Sequence, residues 1–563
     1  MPQRPHPAAG LLIVPLLFAS IIFAQQLVGT TPPEIDPNDP IARIKDEGMK
    51  RSQVMDTMRY LTDVIGPRLT ASPNMKRAND WTRDQLAKWG LQNAHLEQWG
   101  PFGRGWELKS FSAEVIAPQA MPLIAFPSAW SPAVNIPSGE VVHLSVASEA
   151  DLARYKGQLR GKIVLFGNMR PVNVRFAPLA TRLSEKELLD MADSPTPTGG
   201  DFLKDLQTPP YQESVKARAF RTRQLQFIRD EGAALIVFGS AYDAGALTVE
   251  ETIIPANLDT SSSLATLRSI YFAPRAYSAN ADTVTPQIVI AREQYNRLAR
   301  LLKDGEKVRM KVSIDARFSK DELMAYNTIA EIPGTDKADE IVIVGAHLDS
   351  WHAGTGATDN ASGVAVAMEA VRIIQALGLK PRRTIRVGLW SGEEQGLYGS
   401  AAHVAKYFGK PVDDTQDAIY LRAIQGGMAA KFSRGPAYDK FSAYYNLDNG
   451  TGKIRGVYLQ GNEAVRPIFR QWLQPFRDLG ASTLTAQDTI GTDHMSFEAI
   501  GLPGFQFIQD DIEYSTRTYH SNQDVFDRAQ VDDLKQAATI MAAFAYNTAM
   551  LEEKLPRKKA PGE

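Results

Sequence analysis

The 563-residue chain carries 62 Lys and Arg against 64 Asp and Glu, a net charge of −2, with 44% hydrophobic and 22% charged residues. That is the composition of a soluble globular protein too long for one ordinary core, so two or more domains are expected; the near-neutral charge gives no footing for nucleic acid or an anionic membrane. The chain has no cysteine, which excludes disulfides, thiolate zinc sites and a cysteine nucleophile, and leaves His, Asp and Glu to hold any metal.

Residues 1–24 combine a basic start (Arg4, His6), a short apolar stretch (Leu11–Phe23) and a small residue at Ala24. This predicts a signal peptide and export to a bacterial periplasm or medium, with an uncleaved anchor as the alternative and no stable membrane insertion after cleavage. Residues 25–40, with Pro32, Pro33, Pro37 and Pro40, read as a linker. Residues 41–131 begin an α/β domain. A helical pattern runs from Ile41 to a stop at Gly66-Pro67, and a second helix opens at Ser72-Pro73 and ends near Gly90. Met121–Ser131 reads as a connection.

The pattern changes over 132–316. Short runs at Gly139–Leu144, Lys162–Phe166, Ala234–Phe238 and Gln287–Ile290 read as strands, with helices at Gln224–Glu231 and Arg292–Leu302. A separate β-rich insert is expected, with strands that do not continue the central sheet. Within it, Ser194–Pro210 reads as a flexible excursion. Residues 317–551 resume the α/β order. Strands are expected at Ala418–Ile424, Phe441–Leu447 and Gly504–Phe507, and helices at Ala464–Leu479 and Gln530–Leu551. Residues 552–563 read as a disordered tail.

The informative stretch is Ile341–Glu394. Ile341–Val344 and Thr384–Leu389 are apolar β-branched runs, and Gly363–Leu377 between them has a helical stripe. Such a βαβ unit makes its strands parallel. His347 and Asp349 then leave the C-terminal end of one strand, and Glu393 and Glu394 leave the same end of the other, the edge where open α/β sheets bind ligands. With Asp359, one imidazole and four carboxylates converge, and the acids repel one another unless a cation sits among them. Asp448 follows another strand, Tyr519 and His520 stand in a loop with Asp524 nearby, and Asp493-His494 form a further acid–imidazole pair. No His-Glu-x-x-His helix and no Gly-x-Ser-x-Gly elbow occurs.

The strings His347-x-Asp349, Asp359-Asn360-x-Ser362-Gly363, Glu393-Glu394-x-Gly396, Asn446-Leu447-Asp448 and Tyr519-His520-Ser521 resemble the co-catalytic two-zinc exopeptidases, which include bacterial leucyl aminopeptidases and glutamate carboxypeptidases. The segment Gly491-Thr492-Asp493-His494 is similar to a further family string, and the insert resembles a protease-associated domain. The resemblance implies an α/β fold with a mixed, mostly parallel sheet flanked by helices. It implies two zinc ions per chain, one on His347, Asp359 and Asp448, the other on Asp359, Glu394 and His520. Glu393 is implied as general base and Tyr519 as hydroxyl donor to the oxyanion, both catalytic. Asp349, Asp493 and His494 are implied as supporting residues behind the ligands, and the Asp359–Asn360 peptide is implied to be cis.

The expected activity is hydrolysis of a terminal bond of short peptides, with aminopeptidase first and dipeptidase or carboxypeptidase as the alternative. Glutaminyl cyclase-like acyl transfer and a non-catalytic scaffold are the remaining rivals. No arginine cluster for a substrate carboxylate is evident in the sequence. Arg455, Arg466 and Arg517 are candidates.

Overall fold

The βαβ unit forms as the apolar runs require. In the computed structural model, residue 36 and residues 38–196, 202–281, 284–412, 415–425, 427–429 and 431–558 are described; the expected signal peptide lies outside them. Twelve strands are used below: β1 (Gln92–Ala117), β2 (Val134–Leu144), β3 (Ile163–Phe166), β4 (Leu235–Gly239), β5 (Gln287–Ile290), β6 (Arg309–Ile332), β7 (Lys337–His347), β8 (Arg383–Trp390), β9 (Phe441–Asn446), β10 (Ile454–Tyr458), β11 (Thr483–Thr485) and β12 (Gly504–Gln509). The helices are α1 (Pro40–Lys50), α2 (Pro73–Lys88), α3 (Pro209–Asp230), α4 (Arg292–Lys303), α5 (Ser362–Ala376), α6 (Gln416–Gln425) and α7 (Val531–Met550).

β7 and β8 are parallel neighbours, in register from Thr384 opposite Ile341 to Trp390 opposite His347. β9 adds in parallel to β7, and β12 to β9. The order runs β11-β10-β12-β9-β7-β8-β6-β2-β3-β4-β5, ending on Ala125–Pro127 within the expected connection. The sheet is mixed, with helices over it, as expected. α5 presents more than a stripe: Ser362–Ile374 are all buried, between the sheet on one side and α1 and α7 on the other. A helix buried on every face is one covered on all sides, and its one buried guanidinium, Arg372, is paired with Glu369 and Glu47. The main core joins Val342, Val344, Ile385 and Val387 of the strands to Val364, Val371, Ile540 and Phe544 of the helices.

Several expectations are corrected. The strands of 132–316 do continue the central sheet. β6 is long enough to pair with β8 through Thr328–Ile332 and with β2 through Arg309–Ile314, while β1 follows it antiparallel along its length. The insert keeps its own core around Trp130, Ile163, Val237 and Ile288, but the ladder is unbroken. Nor is it chiefly β: β3, β4 and β5 are short parallel strands that need crossover helices, of which α3 has 22 residues.

Ala418–Ile424 is helical, in α6, because Tyr420 and Ile424 stand four residues apart and pack together on Leu206, Val215 and Leu267. The expected helix Ala464–Leu479 is α-helical only over Arg466–Leu473 and becomes a 3-10 turn at Gln474–Leu479, where Pro475 removes a donor and crowds the preceding turn. The tail is docked through residue 558. Leu555 is buried, and Arg557 donates to the carbonyls of Tyr438 and Phe441. Part of the Ser194–Pro210 excursion, residues 197–201, lies outside the described residues, and α3 starts at Pro209.

Candidate metal centre

β7 delivers His347 at its last residue, and the chain after β8 delivers Glu393 and Glu394 beside it. Asp359 precedes α5. Its loop is tied to the loop after β9 by the motif's own side chains. Asn360 Nδ2 donates to the Leu447 carbonyl at 2.9 Å, Asn360 Oδ1 accepts from Gly363 N–H at 2.9 Å, and Ser362 Oγ donates to the Gly450 carbonyl at 3.1 Å. These bonds bring Asp448 opposite Asp359. The Asp359–Asn360 peptide is cis, as expected.

The five expected ligands form two half-sites that share Asp359. His347 Nε2 lies 3.1 Å from Asp359 Oδ1 and 3.1 Å from Asp448 Oδ1. His520 Nε2 lies 3.1 Å from Glu394 Oε2 and 3.5 Å from Asp359 Oδ2. In each imidazole the other nitrogen already has an acceptor: His347 Nδ1 donates to the Asp349 carbonyl at 3.0 Å, and His520 Nδ1 to Glu250 Oε1 at 2.7 Å. That assignment leaves both Nε2 lone pairs aimed at carboxylates, an arrangement that only a proton or a cation reconciles. Asp359 Oδ2 and Glu394 Oε1 are buried without a hydrogen-bond partner. The donor set, all N and O, therefore fits two zinc ions.

The electrostatics agree. Burial, then the charge of Asp359, pushes the Glu394 carboxyl up to about 7. Burial, with the acids Asp448, Asp493 and Glu394, raises Glu393 well above the usual range. Burial alone lowers the His347 imidazole, but Asp448, Glu393, Asp349 and Asp359 hold it well above its ordinary value. The acids are short of positive charge.

Of the expected supporting residues, Asp349 serves partly through its backbone carbonyl, since its carboxylate is 3.6 Å from His347 Nδ1. That carboxylate accepts from Thr70 Oγ1 at 2.8 Å and faces the N–H groups of Glu393 and Glu394 at 3.4 Å. Asp493 is buried, and burial raises it to about 7. Its carboxylate has no hydrogen-bond partner. His494 is a correction. It is buried, but its Nε2 meets the Thr489 carbonyl at 2.9 Å and it faces Glu498, so it bonds to no ligand. Tyr519, 41% exposed, stacks on the His520 ring at 3.7 Å. Burial, with Asp359 and Glu394, pushes its hydroxyl above the ordinary tyrosine value, so it stays protonated and able to donate.

Three contributors were not found in the sequence. Arg68 is fully buried and donates to the carbonyls of Leu348 at 2.7 Å and of Thr355 and Gly356 at 2.8 Å, so it pins the loops that carry His347 and Asp359. Gly356 permits this approach, since a Cβ there would lie 2.8 Å from Arg68 Nη2 and its φ is +62°. Burial, with the charges of Asp359 and Asp448, pushes the Tyr514 hydroxyl well above the ordinary tyrosine range, so it stays protonated. Glu250 belongs to the insert. Its neighbour Val249 donates N–H to the His520 carbonyl at 2.9 Å, which helps to hold that ligand at φ 52°, a left-handed conformation uncommon outside glycine. Asp524, which the sequence had placed near His520, accepts from Thr358 N–H at 2.5 Å and Asp359 N–H at 3.2 Å. Signals such as the Gly66-Pro67 stop before Arg68 exist, but none names a partner.

Residues 327–545 match the model of peptidase family M28. Carboxypeptidase Q of Rattus norvegicus is 27% identical over 516 residues, covering 91% of this chain and 88% of the relative. Among solved structures, a peptidase M28 precursor from Shewanella amazonensis has a TM-score of 0.61 at 22% identity, covering 92% of this chain and 98% of its own. BSAP, a zinc aminopeptidase from Bacillus subtilis, has a TM-score of 0.52 at 14% identity, covering 89% and 96%. These two likenesses show the shared fold. Fold, donor set and family match together define a metallo-hydrolase of peptide bonds. The matched segment, 327–545, contains all five expected ligands, and it is this part of the chain that is similar to peptidase family M28.

Proposed function

We propose that the protein is an exported exopeptidase that removes a terminal residue from short peptides, with His347, Asp359 and Asp448 holding one zinc ion and Asp359, Glu394 and His520 the other. The observation that carries this is the pair of half-sites meeting on Asp359, with each imidazole oriented by a separate acceptor. Two zinc ions so held supply an acidified water and a polarised scissile carbonyl. Glu393, which belongs to neither proposed ligand set, takes the proton of the attacking water as a carboxylate and passes it to the leaving amine. The neutral Tyr519 hydroxyl donates to the oxyanion as it develops. No helix among the described residues is long and apolar enough to cross a membrane; the export reading rests on the basic and apolar pattern of residues 1–24.

The sequence strings favour an aminopeptidase. A carboxypeptidase or dipeptidase is supported by the rat relative, whose name is carboxypeptidase Q and which aligns with 91% of the chain. Intact ligand positions and Glu393 speak against a non-catalytic scaffold, and the shared Asp359 with two half-sites against a one-zinc acyl transferase. The test is hydrolysis of free, N-blocked and C-amidated dipeptides by zinc-loaded protein. Loss on N-blocking identifies an aminopeptidase, loss on amidation a carboxypeptidase, loss on both a dipeptidase. No hydrolysis of any overturns the reading.

A further inference from the structure

The three arginines considered from sequence are already neutralised: Arg455 pairs with Asp510 at 2.8 Å, Arg466 with Glu463 at 2.6 Å and Arg517 with Glu513 at 3.1 Å. A different set is free. A cavity of about 620 Å³ opens at the C-terminal ends of β3, β4 and β5 in the insert, lined by Arg170, Arg221 and Arg292. It occupies the strand-end position where α/β sheets take ligands. Among the described residues none of these three forms an ion pair. Arg221, on α3, lies over the rings of Phe166 and Phe238 at 5.1 and 5.6 Å, which fix the guanidinium and leave its donors unused. Among the described residues the Arg170 side chain has no hydrogen-bond partner. Arg292 uses part of its fork on the carbonyls of Pro171 and Ser240.

The cavity's carboxylates do not answer these charges. Glu250 is held by His520 and Glu251 by Arg275 at 3.1 Å. Thr248 Oγ1, also in the lining, is buried without a partner. The like charge of Arg170 adds to burial in lowering the Arg221 guanidinium, the expected mark of two cations awaiting an anion. The cavity borders the metal centre, because Glu250 lines it and bonds the ligand His520, and Thr248 bridges to Ser521.

We infer that this cavity recognises a carboxylate of the peptide substrate, through the unmatched guanidinium groups of Arg170 and Arg221 with Arg292 beside them. The inference rests on the exopeptidase reading above and narrows its substrates to peptides with a carboxylate on the side of the scissile bond that faces the insert. Guanidinium forks match carboxylates with two parallel bonds, and a dry aromatic platform strengthens them.

The test uses the full zinc-loaded chain with alanylalanylglutamate, alanylalanylglutamine and the C-terminal amides of both. A lower KM for free acids than for amides assigns the carboxylate to the C-terminus, and a lower KM for glutamate than glutamine assigns it to the side chain. Either supports the cavity. Arg170→Gln/Arg221→Gln is expected to raise KM for the preferred peptide about ten- to a hundredfold and to erase the preference, with kcat nearly unchanged. Arg221→Lys, which keeps charge and stem, is expected to retain part of the preference and guards against misfolding. Equal KM values in the wild type, or a preference that survives in the double variant, overturn the inference. If no peptide is cleaved, it is the exopeptidase reading that fails; calorimetry of the same peptides then decides the cavity, supported if free-acid binding is lost in the double variant and overturned if it is retained.

Discussion

Replacing Arg68 by Met tests the buried scaffold behind the ligands. The guanidinium is fully buried and donates to five carbonyl oxygens, those of Leu348, Leu61, Gly66, Thr355 and Gly356. Its pKa is lowered to about 10 by burial, against the raising influence of Asp524, Asp349, Asp359 and Glu394, so it remains charged at neutral pH. Met matches the stem but offers no donor. Five carbonyls lose a partner and the acids behind the site lose a cation, a loss of about 3–5 kcal/mol, the usual cost of breaking a buried charge network. With roughly 2 cal/mol/K of unfolding entropy per residue, a chain of this length should melt about 3–4 °C lower. The assay is thermal unfolding of metal-free and zinc-loaded protein. Zinc should recover less stability in the variant, because the loops carrying His347 and Asp359 are no longer pinned. A variant that melts with the wild type and binds zinc equally would refute the reasoning.

Glu393→Gln should keep both zinc ions and near-normal KM while kcat falls about 10²–10⁴-fold, whereas Glu394→Gln should lose or weaken one ion; metal content and kcat measured on both variants separate the two roles. Tyr519→Phe should retain metal and lose about 10²–10³ in kcat, the value of one oxyanion donor, and an unchanged kcat would remove it from the mechanism. Glu250→Ala should weaken one of two zinc ions about 10–100-fold while sparing the other, because only His520 loses its orienting acceptor; competition with a chelator reads this directly.

The legible parts of the molecule were those whose chemistry is local. His347 and Glu393 could be placed because β-branched runs end immediately before them, and α5 because its apolar period is unbroken. β1 was not read, since its 26 residues mix glycine, proline and charges over a half-buried ribbon whose partner lies far along the chain. α6 was misread because a short apolar run has the same composition in a strand or a helix, and only its packing on Leu206 and Val215 decides. The insert's boundary failed for a related reason: β6 crosses it without a change in its own sequence pattern. Arg68 and Glu250 were invisible because each meets its partner across roughly half the chain, and an arginine or glutamate in a loop reads as a solvated charge until the fold brings the partner to it.

The most direct measurement is zinc content against activity on one preparation. Elemental analysis of active protein should give two zinc ions per chain. Chelation should abolish peptide hydrolysis, and titration with zinc should restore it as the two half-sites on Asp359 refill. Full hydrolysis by protein stripped of both ions would contradict the account.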